Sequence, residues 1–158
     1  MDNCIISSLS KISRLYFLKH FQGVVVAHGV IEEALNSDIP QIIASLTSAL
    51  KDWLEQKTVN KPEEIPQIQK IHPQLSYVDC ELILLCSENQ FILLTDDKDL
   101  IRIAENEFNI DTFDLCQLLL TLKRKKVLNL KEIDEIIIAL EKKDSYKFSH
   151  ENLLLLRK

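Results

Sequence analysis

The sequence has few of the residues on which several common kinds of functional site depend. Only two glycines occur in 158 residues, which excludes the glycine-rich loops that cradle phosphate groups. None of the four cysteines belongs to a CxxC pair, so we expect reduced, buried thiols rather than disulfides or a zinc site. Four scattered histidines and the lack of a strained serine elbow argue against acyl transfer by a nucleophile triad.

Long apolar runs and an excess of basic residues are also absent. No run reaches the length of a membrane span, and the first residues do not follow the pattern of a secretory signal, so we expect a cytoplasmic protein. The formal net charge of −5 does not favour nonspecific binding to nucleic acid through overall charge. A role on nucleic acid would need a local basic patch, or metal ions that offset the acids.

The residues that are present predict an α/β protein. Hydrophobic residues make up 46% of the chain, which is enough for a sizeable core in a single domain of residues 1–158. Short apolar runs alternate with segments of helical spacing, and this alternation predicts a mostly parallel sheet. Long helices are expected over Ile39–Gln56, Leu75–Glu88 and Leu130–Lys142. The proline-rich stretch Lys61–Pro73 has the composition of a loop.

One stretch joins a buried strand to a helix through acidic residues. Phe91–Leu94 is wholly apolar, which is typical of a strand buried on both faces. Thr95, Asp96 and Asp97 follow, and apolar residues recur at helical spacing from Leu100 onward. Such residues are often only helix caps, so both capping and ligand binding stay open here.

A second segment repeats this pattern earlier in the chain. Val24–Ala27 is the apolar run, and Glu32 and Glu33 lie in the helix that follows. Helical periodicity does not choose between the two glutamates. Right-handed crossovers bring both strand-to-helix turns to the edge of the sheet where ligands bind, so we expect Asp97 and one glutamate to meet there.

Two further acids are candidates for the same edge. Asp79 shares a helix face with Leu82 and Cys86, where a carboxylate is costly unless it is paired, hydrogen-bonded or bound to metal. A carboxylate that only caps neighbouring backbone would fit equally well. Asp2 precedes the first helix and could complete a set of four.

Crowded carboxylates repel one another unless a cation holds them. Oxygen ligands select Mg²⁺ or Mn²⁺, the ions that commonly serve phosphodiester hydrolysis.

Four segments resemble the motifs of PIN-domain proteins, the family that includes the VapC toxins. The first two lie in the opening quarter of the chain. Asp2–Ser7 resembles the D-x-[NST]-x-L-I segment that opens the family's sequences. Gly29–Leu35 resembles the family's V-x-x-E segment, and this similarity favours Glu33 over Glu32.

Of the other two segments, one precedes the apolar run Phe91–Leu94 and the other begins within it. Leu75–Leu82 resembles the family's L-S-x-x-D segment, which selects Asp79. Leu93–Leu100 resembles T-x-D-x-D, which selects Asp97 with Asp99 as an auxiliary acid. The resemblance extends to about residue 126, and the leucine-rich remainder is similar to a subgroup with extra C-terminal helices.

The resemblance implies both a fold and an activity. The fold would be three-layered, α/β/α, with a mostly parallel sheet and a C-terminal helical extension over residues 127–158. The activity would be that of a Mg²⁺-dependent endoribonuclease, often inhibited by a partner antitoxin, with catalytic and metal-binding residues Asp2, Glu33, Asp79 and Asp97, and Asp99 as a weak further ligand. A noncatalytic PIN-like module that binds protein or RNA is the alternative.

The sequence departs from the family pattern at its start. Cys4 stands where the family usually has Asn or Ser, so we do not expect its side chain to help hold Asp2. Only Met1 precedes Asp2, whereas the family has an apolar central strand there. We therefore expect a shortened first strand, with Asp2 on a frayed terminus.

Two clusters near the C-terminus are candidates for contacts with other molecules. The basic run Lys123, Arg124, Lys125 and Lys126 ends a predicted helix, where it complements the helix dipole, and it could also contact an RNA backbone. Leu153–Leu156 is unusually apolar for a chain end. It is either part of the core or a contact surface, and we expect a homodimer.

Overall fold

The computed structural model describes all residues from Met1 to Lys158. Nine α-helices account for most of the chain, and two short 3₁₀ helices cover Leu15–His20 and Pro62–Glu64. The α-helices are α1 (Asn3–Lys11), α2 (His28–Leu35), α3 (Pro40–Asp52), α4 (Ile65–Ile71), α5 (Tyr77–Asn89), α6 (Lys98–Phe108), α7 (Leu115–Arg124), α8 (Leu130–Asp144) and α9 (His150–Arg157). None of them is both long enough and apolar enough to cross a bilayer.

Four short strands form two parallel pairs. Strand β1 (Val25–Ala27) pairs with β2 (Glu55–Lys57), and β3 (Leu93–Leu94) pairs with β4 (Thr112–Phe113). The expected α/β architecture with parallel strands is confirmed, although the strands are shorter than the sequence predicts.

The first two residues lie between β1 and β3, which belong to different pairs. The Met1 ammonium donates to the carbonyl oxygen of Val25 at 3.3 Å, and the Asp2 amide donates to that of Leu94 at 2.9 Å. Residues 1 and 2 thus bridge β1 and β3 and bring Asp2 to the end of β3. An apolar groove of about 290 Å³ lies beside Met1 and is lined by residues of both strand pairs.

Polar side chains begin six of the helices, as the chemistry of helix ends requires. Ser76, Asn129 and Ser149 cap α5, α8 and α9, and each accepts a hydrogen bond from a first-turn amide. Asp2, Asp97 and Asp114 cap α1, α6 and α7 in the same way. Two acids of the predicted site are therefore helix caps as well.

A single hydrophobic core runs from Met1 to Leu156. Helix α1 packs against α2, α3 and α8, and α5 packs against α4 and α6. Helix α5 is buried along Cys80–Cys86 on every face, which agrees with its almost continuous apolar sequence. The C-terminal helices belong to this core, since Leu140 and Leu156 are fully buried.

Two sequence expectations are wrong in detail. Residues 61–73 are not a loop, because Pro62 and Pro66 occupy first-turn positions where proline costs no hydrogen bond and Ile65 and Ile68 are buried. Helix α3 ends at Asp52 instead of continuing to residue 56, because residues 55–57 pair with β1. Tertiary strand pairing outweighs the local helical pattern there.

Candidate active site

Asp2 is fixed in place at the head of α1. Its side chain is buried, and Oδ1 accepts from the Asn3 amide at 2.5 Å. Oδ2 accepts from the Thr95 hydroxyl at 2.6 Å, while the Asp2 backbone is bonded to Leu94. The expectation of a frayed Asp2 is therefore wrong, because α1 and the chain after β3 both hold it.

Cys4 takes part in holding Asp2, contrary to the sequence expectation. Its Sγ donates to Asp2 Oδ2 at 3.0 Å and accepts from the Asp96 amide at 3.4 Å. Burial, followed by the charge of Asp2, raises the pKa of the Cys4 thiol far above its usual range. The thiol thus stays protonated and remains a hydrogen-bond donor, which is the role a hydroxyl or amide would have here.

Thr95 connects Asp2 to Asp97. The Thr95 side chain is fully buried, and its hydroxyl accepts from the Asp97 amide at 3.1 Å while it donates to Asp2. The Asp97 carboxylate caps α6 by accepting from the Leu100 amide at 2.9 Å. The capping role that the sequence left open is therefore real, and the same geometry brings the two acids to one end of β3.

Asp79 also combines capping with proximity to the other acids. It forms a capping box with Ser76, whose amide donates to Asp79 Oδ2 at 2.8 Å and whose hydroxyl accepts from the Asp79 amide at 3.0 Å. Burial raises the pKa of Asp79, the Ser76 hydrogen bonds lower it, and the charges of Asp2 and Asp97 raise it. Asp79 therefore lies within electrostatic reach of both acids.

The structure separates the two glutamates of α2. Glu32 is exposed and pairs with His28, whose Nε2 lies 3.3 Å from Glu32 Oε1. Burial raises the pKa of Glu33, and so do the charges of Asp2 and Asp79. Glu33 is the glutamate that faces the other acids.

Asp99 lies outside this group. Its exposed side chain faces Arg102, whose Nη2 is 3.5 Å away, and it is not among the charges that act on Glu33 or Asp79. The acidic group therefore consists of Asp2, Glu33, Asp79 and Asp97.

The acidic group has the chemistry of a hard-cation site but is not arranged as one. No three His, Cys, Asp or Glu side chains form a ready set of metal ligands. The four residues offer only carboxylate oxygens, and the charges acting on Glu33 and Asp79 are all negative. This uncompensated repulsion, together with oxygen-only donors, fits Mg²⁺ or Mn²⁺. The side chains would have to turn toward the ion.

Sequence reasoning missed Asp96, which joins the site to the C-terminal part of the chain. Its Oδ1 accepts from the Leu115 amide and from the Tyr146 hydroxyl, both at 3.1 Å, and its Oδ2 is buried without a partner. Burial raises the pKa of Asp96. No spacing in the sequence points from Asp96 to Tyr146, so this contact could not be predicted.

Sequence reasoning also missed Glu81, although a signal was available. Glu81 lies within the apolar run of α5, is buried, and accepts from the Gly29 amide at 3.0 Å. The argument that a carboxylate on a buried helix needs a partner singled out Asp79 and applies more strongly to Glu81.

The basic run at the end of α7 lies away from the acidic group. Lys123 donates to the carbonyl oxygen of Leu156 at 2.9 Å, and Lys125 donates to that of His20 at 2.6 Å. The other end of α7 contacts Asp96, and a ten-residue helix is about 15 Å long. Lys123 and Lys125 therefore contribute to packing, whereas Arg124 and Lys126 make no such contact.

Comparison with known families agrees with this arrangement. A family model described as a PIN domain matches residues 1–154, a span that includes α8 and most of α9. The chain belongs to the PIN-domain family. PIN domains are in general a nuclease fold whose nucleases use divalent metals and bind RNA. No curated protein and no solved structure gives a significant match.

Proposed function

We propose that this protein is a Mg²⁺- or Mn²⁺-dependent endoribonuclease. Asp2, Glu33, Asp79 and Asp97 would hold the cation. The observation that carries the proposal is that the buried Thr95 hydroxyl donates to the Asp2 carboxylate and accepts from the Asp97 amide, which brings acids from two helices together at the end of β3. The charge of Asp2 also acts on Glu33 and Asp79, which come from two other helices. Acids from separate elements that repel one another at the end of a strand are costly to folding and are typical of functional sites.

The chain's own residues would fix the acids before any ion binds. Thr95 and Cys4 hold Asp2 through Oδ2, and capping contacts hold Asp79 and Asp97 at the starts of their helices. These contacts place three of the four acids, although their carboxylates would still have to turn toward an ion. A bound divalent cation would supply the Lewis acidity that activates water for in-line hydrolysis of a phosphodiester.

The test is cleavage of total RNA by the purified chain. We expect cleavage in Mg²⁺ or Mn²⁺ and none with excess EDTA. The chain offers a matched pair on α2: Glu33→Gln should lower the rate by about tenfold or more, as expected for loss of a group that supports a metal, whereas Glu32→Gln should leave it unchanged. Cleavage that persists in EDTA, or equal rates for the two variants, would contradict a metal site that includes Glu33, and no cleavage at all would favour the noncatalytic alternative.

We also propose that the protein is the toxin of a toxin–antitoxin pair. The family resemblance supports this role, and the half-exposed Leu154 and Leu155 on α9 offer an apolar surface for an antitoxin or a second copy. Induced expression should arrest the growth of a bacterial host, and Asp97→Asn should relieve the arrest at equal protein level. Arrest by both forms, or by neither, would count against a toxin that acts through this site.

A further inference from the structure

Helix α2 begins without a cap of its own. Ala27 precedes it, and no side chain from its own N-terminal segment accepts from its first-turn amides. These amides need acceptors, since the helix itself supplies none. The acceptor comes from α5, where Glu81 Oε2 accepts from the Gly29 amide at 3.0 Å. Helix α5 therefore supplies the N-terminal cap of α2.

The contact depends on Gly29 having no side chain. A Cβ at this position would lie 2.6 Å from Glu81 Oε2 and 2.8 Å from Val78 Cγ2, which is closer than such atoms approach. Glycine thus lets the backbone of α2 reach a carboxylate that is only 7% exposed on α5.

The same contact fixes how α2 is rotated about its axis. Gly29 and Glu33 are four residues apart, so they share a face of the helix. Glu32 lies about 100° around the axis and pairs with His28 instead. A small rotation of α2 would therefore turn Glu33 away from Asp79.

We propose that Glu81 is a positioning residue that caps α2 from α5 and thereby holds Glu33 toward Asp2 and Asp79. This inference rests on the proposed metal-dependent function. Glu81 acts through the Gly29 amide rather than as a ligand of the cation. Its Oε2 accepts from the backbone of α2, and its place in the buried interior of α5 is explained by that bond.

The test uses two substitutions of Glu81 that differ in one property. Glu81→Gln keeps an oxygen acceptor for the Gly29 amide, whereas Glu81→Leu has similar volume and no acceptor. Binding of Mn²⁺ alone, measured by calorimetry, should weaken by about tenfold or more in Glu81→Leu, the usual effect of losing a residue that orients a ligand. Glu81→Gln should bind within about threefold of the wild type. Gly29→Ala, which breaks the contact from the other side, should behave like Glu81→Leu.

A matched control lies on the same helix. Glu88 accepts from the backbone amides of Asn60 and Lys61 at 2.8–3.0 Å, so it also holds a backbone segment, but not α2. Glu88→Leu should lower the melting temperature and leave Mn²⁺ affinity unchanged. Equal losses of affinity in Glu88→Leu and Glu81→Leu would assign both to general destabilisation and overturn the inference.

A second readout separates this inference from the proposed function. Amide hydrogen exchange of the metal-free protein should become faster at Gly29 and along α2 in Glu81→Leu and stay slow in Glu81→Gln. Absence of Mn²⁺ binding by the wild type would contradict the proposed metal site alone. Unchanged hydrogen exchange in Glu81→Leu would overturn the positioning role of Glu81 as well. Equal loss of Mn²⁺ affinity in Glu81→Gln and Glu81→Leu would mean that Glu81 acts by its charge or as a ligand, which contradicts the inference.

Discussion

At the scale of single residues, the Thr95 hydroxyl joins Asp2 to Asp97. It donates to the Asp2 carboxylate and accepts from the Asp97 amide. Because a hydroxyl has one proton and two lone pairs, one side chain can serve both partners at once. Cys4 adds a second donor to the same Asp2 oxygen. The first acid of the group is thus held by side chains that carry no charge of their own.

The shifted carboxyl groups predict how stability depends on pH. The raised pKa values of Glu33 and Asp79 mean that the folded state binds their protons more tightly than the unfolded state. These groups therefore destabilise the fold at neutral pH, and this penalty is lost as the pH falls toward about 4, where the unfolded carboxyl groups are also protonated. Urea unfolding in EDTA should show Glu33→Gln more stable than the wild type at pH 7, with the difference shrinking at lower pH.

The control for this measurement is again Glu32→Gln. It removes the exposed pair with His28 and relieves no repulsion within the acidic group, so it should not stabilise the protein at pH 7. A constant difference between Glu33→Gln and the wild type across the pH range would show that Glu33 is not repelled by the other acids.

At the scale of elements, the sequence predicts helices better than strands. The helix over Leu130–Lys142 is predicted because its apolar stripe is a local signal, and the structure shows it as α8. Residues 55–57 read as the end of a helix, and their strand is visible only through pairing with β1. The candidate site follows the same rule. Asp97 is found from its local pattern, whereas Tyr146, fifty residues from Asp96, carries no local signal.

Helix α9 resolves the alternatives that the sequence left open for the leucine run. Leu156 is fully buried, while Leu154 and Leu155 are 53% and 47% exposed. The same short helix therefore contributes to the core on one face and offers an apolar surface on the other. The Lys123 ammonium fixes its C-terminal end by donating to the Leu156 carbonyl.

Substitutions on the two faces of α9 should have different effects. Leu156→Ala should lower the free energy of unfolding by about 2–5 kcal/mol, the usual cost of a large-to-small change in a core. Leu154→Ser with Leu155→Ser should leave the melting temperature nearly unchanged but lower the mass measured by light scattering if this face joins two copies.

Deleting residues 149–158 should combine both effects. An unchanged melting temperature and mass after this deletion would show that α9 contributes to neither.

At the scale of the whole molecule, the two strand pairs and their helices bring acids from four separate helices toward one place. Asp2, Asp79 and Asp97 lie at the starts or first turns of α1, α5 and α6, and Glu33 lies in the second turn of α2. Negative charge at a helix start is favourable, which offsets part of the repulsion among Asp2, Asp79 and Asp97. The chain belongs to the PIN-domain family, and this membership is the reason for interpreting the four acids as a nuclease site.

The central claim is that the acidic group binds a divalent cation, and calorimetry with Mn²⁺ tests it most directly. The wild type should bind Mn²⁺, and Asp97→Asn should bind it at least about tenfold more weakly. Asparagine caps helices about as well as aspartate, so the melting temperature of Asp97→Asn without metal should equal or exceed that of the wild type. Equal Mn²⁺ affinity in the two proteins, or no binding by the folded wild type, would contradict the account.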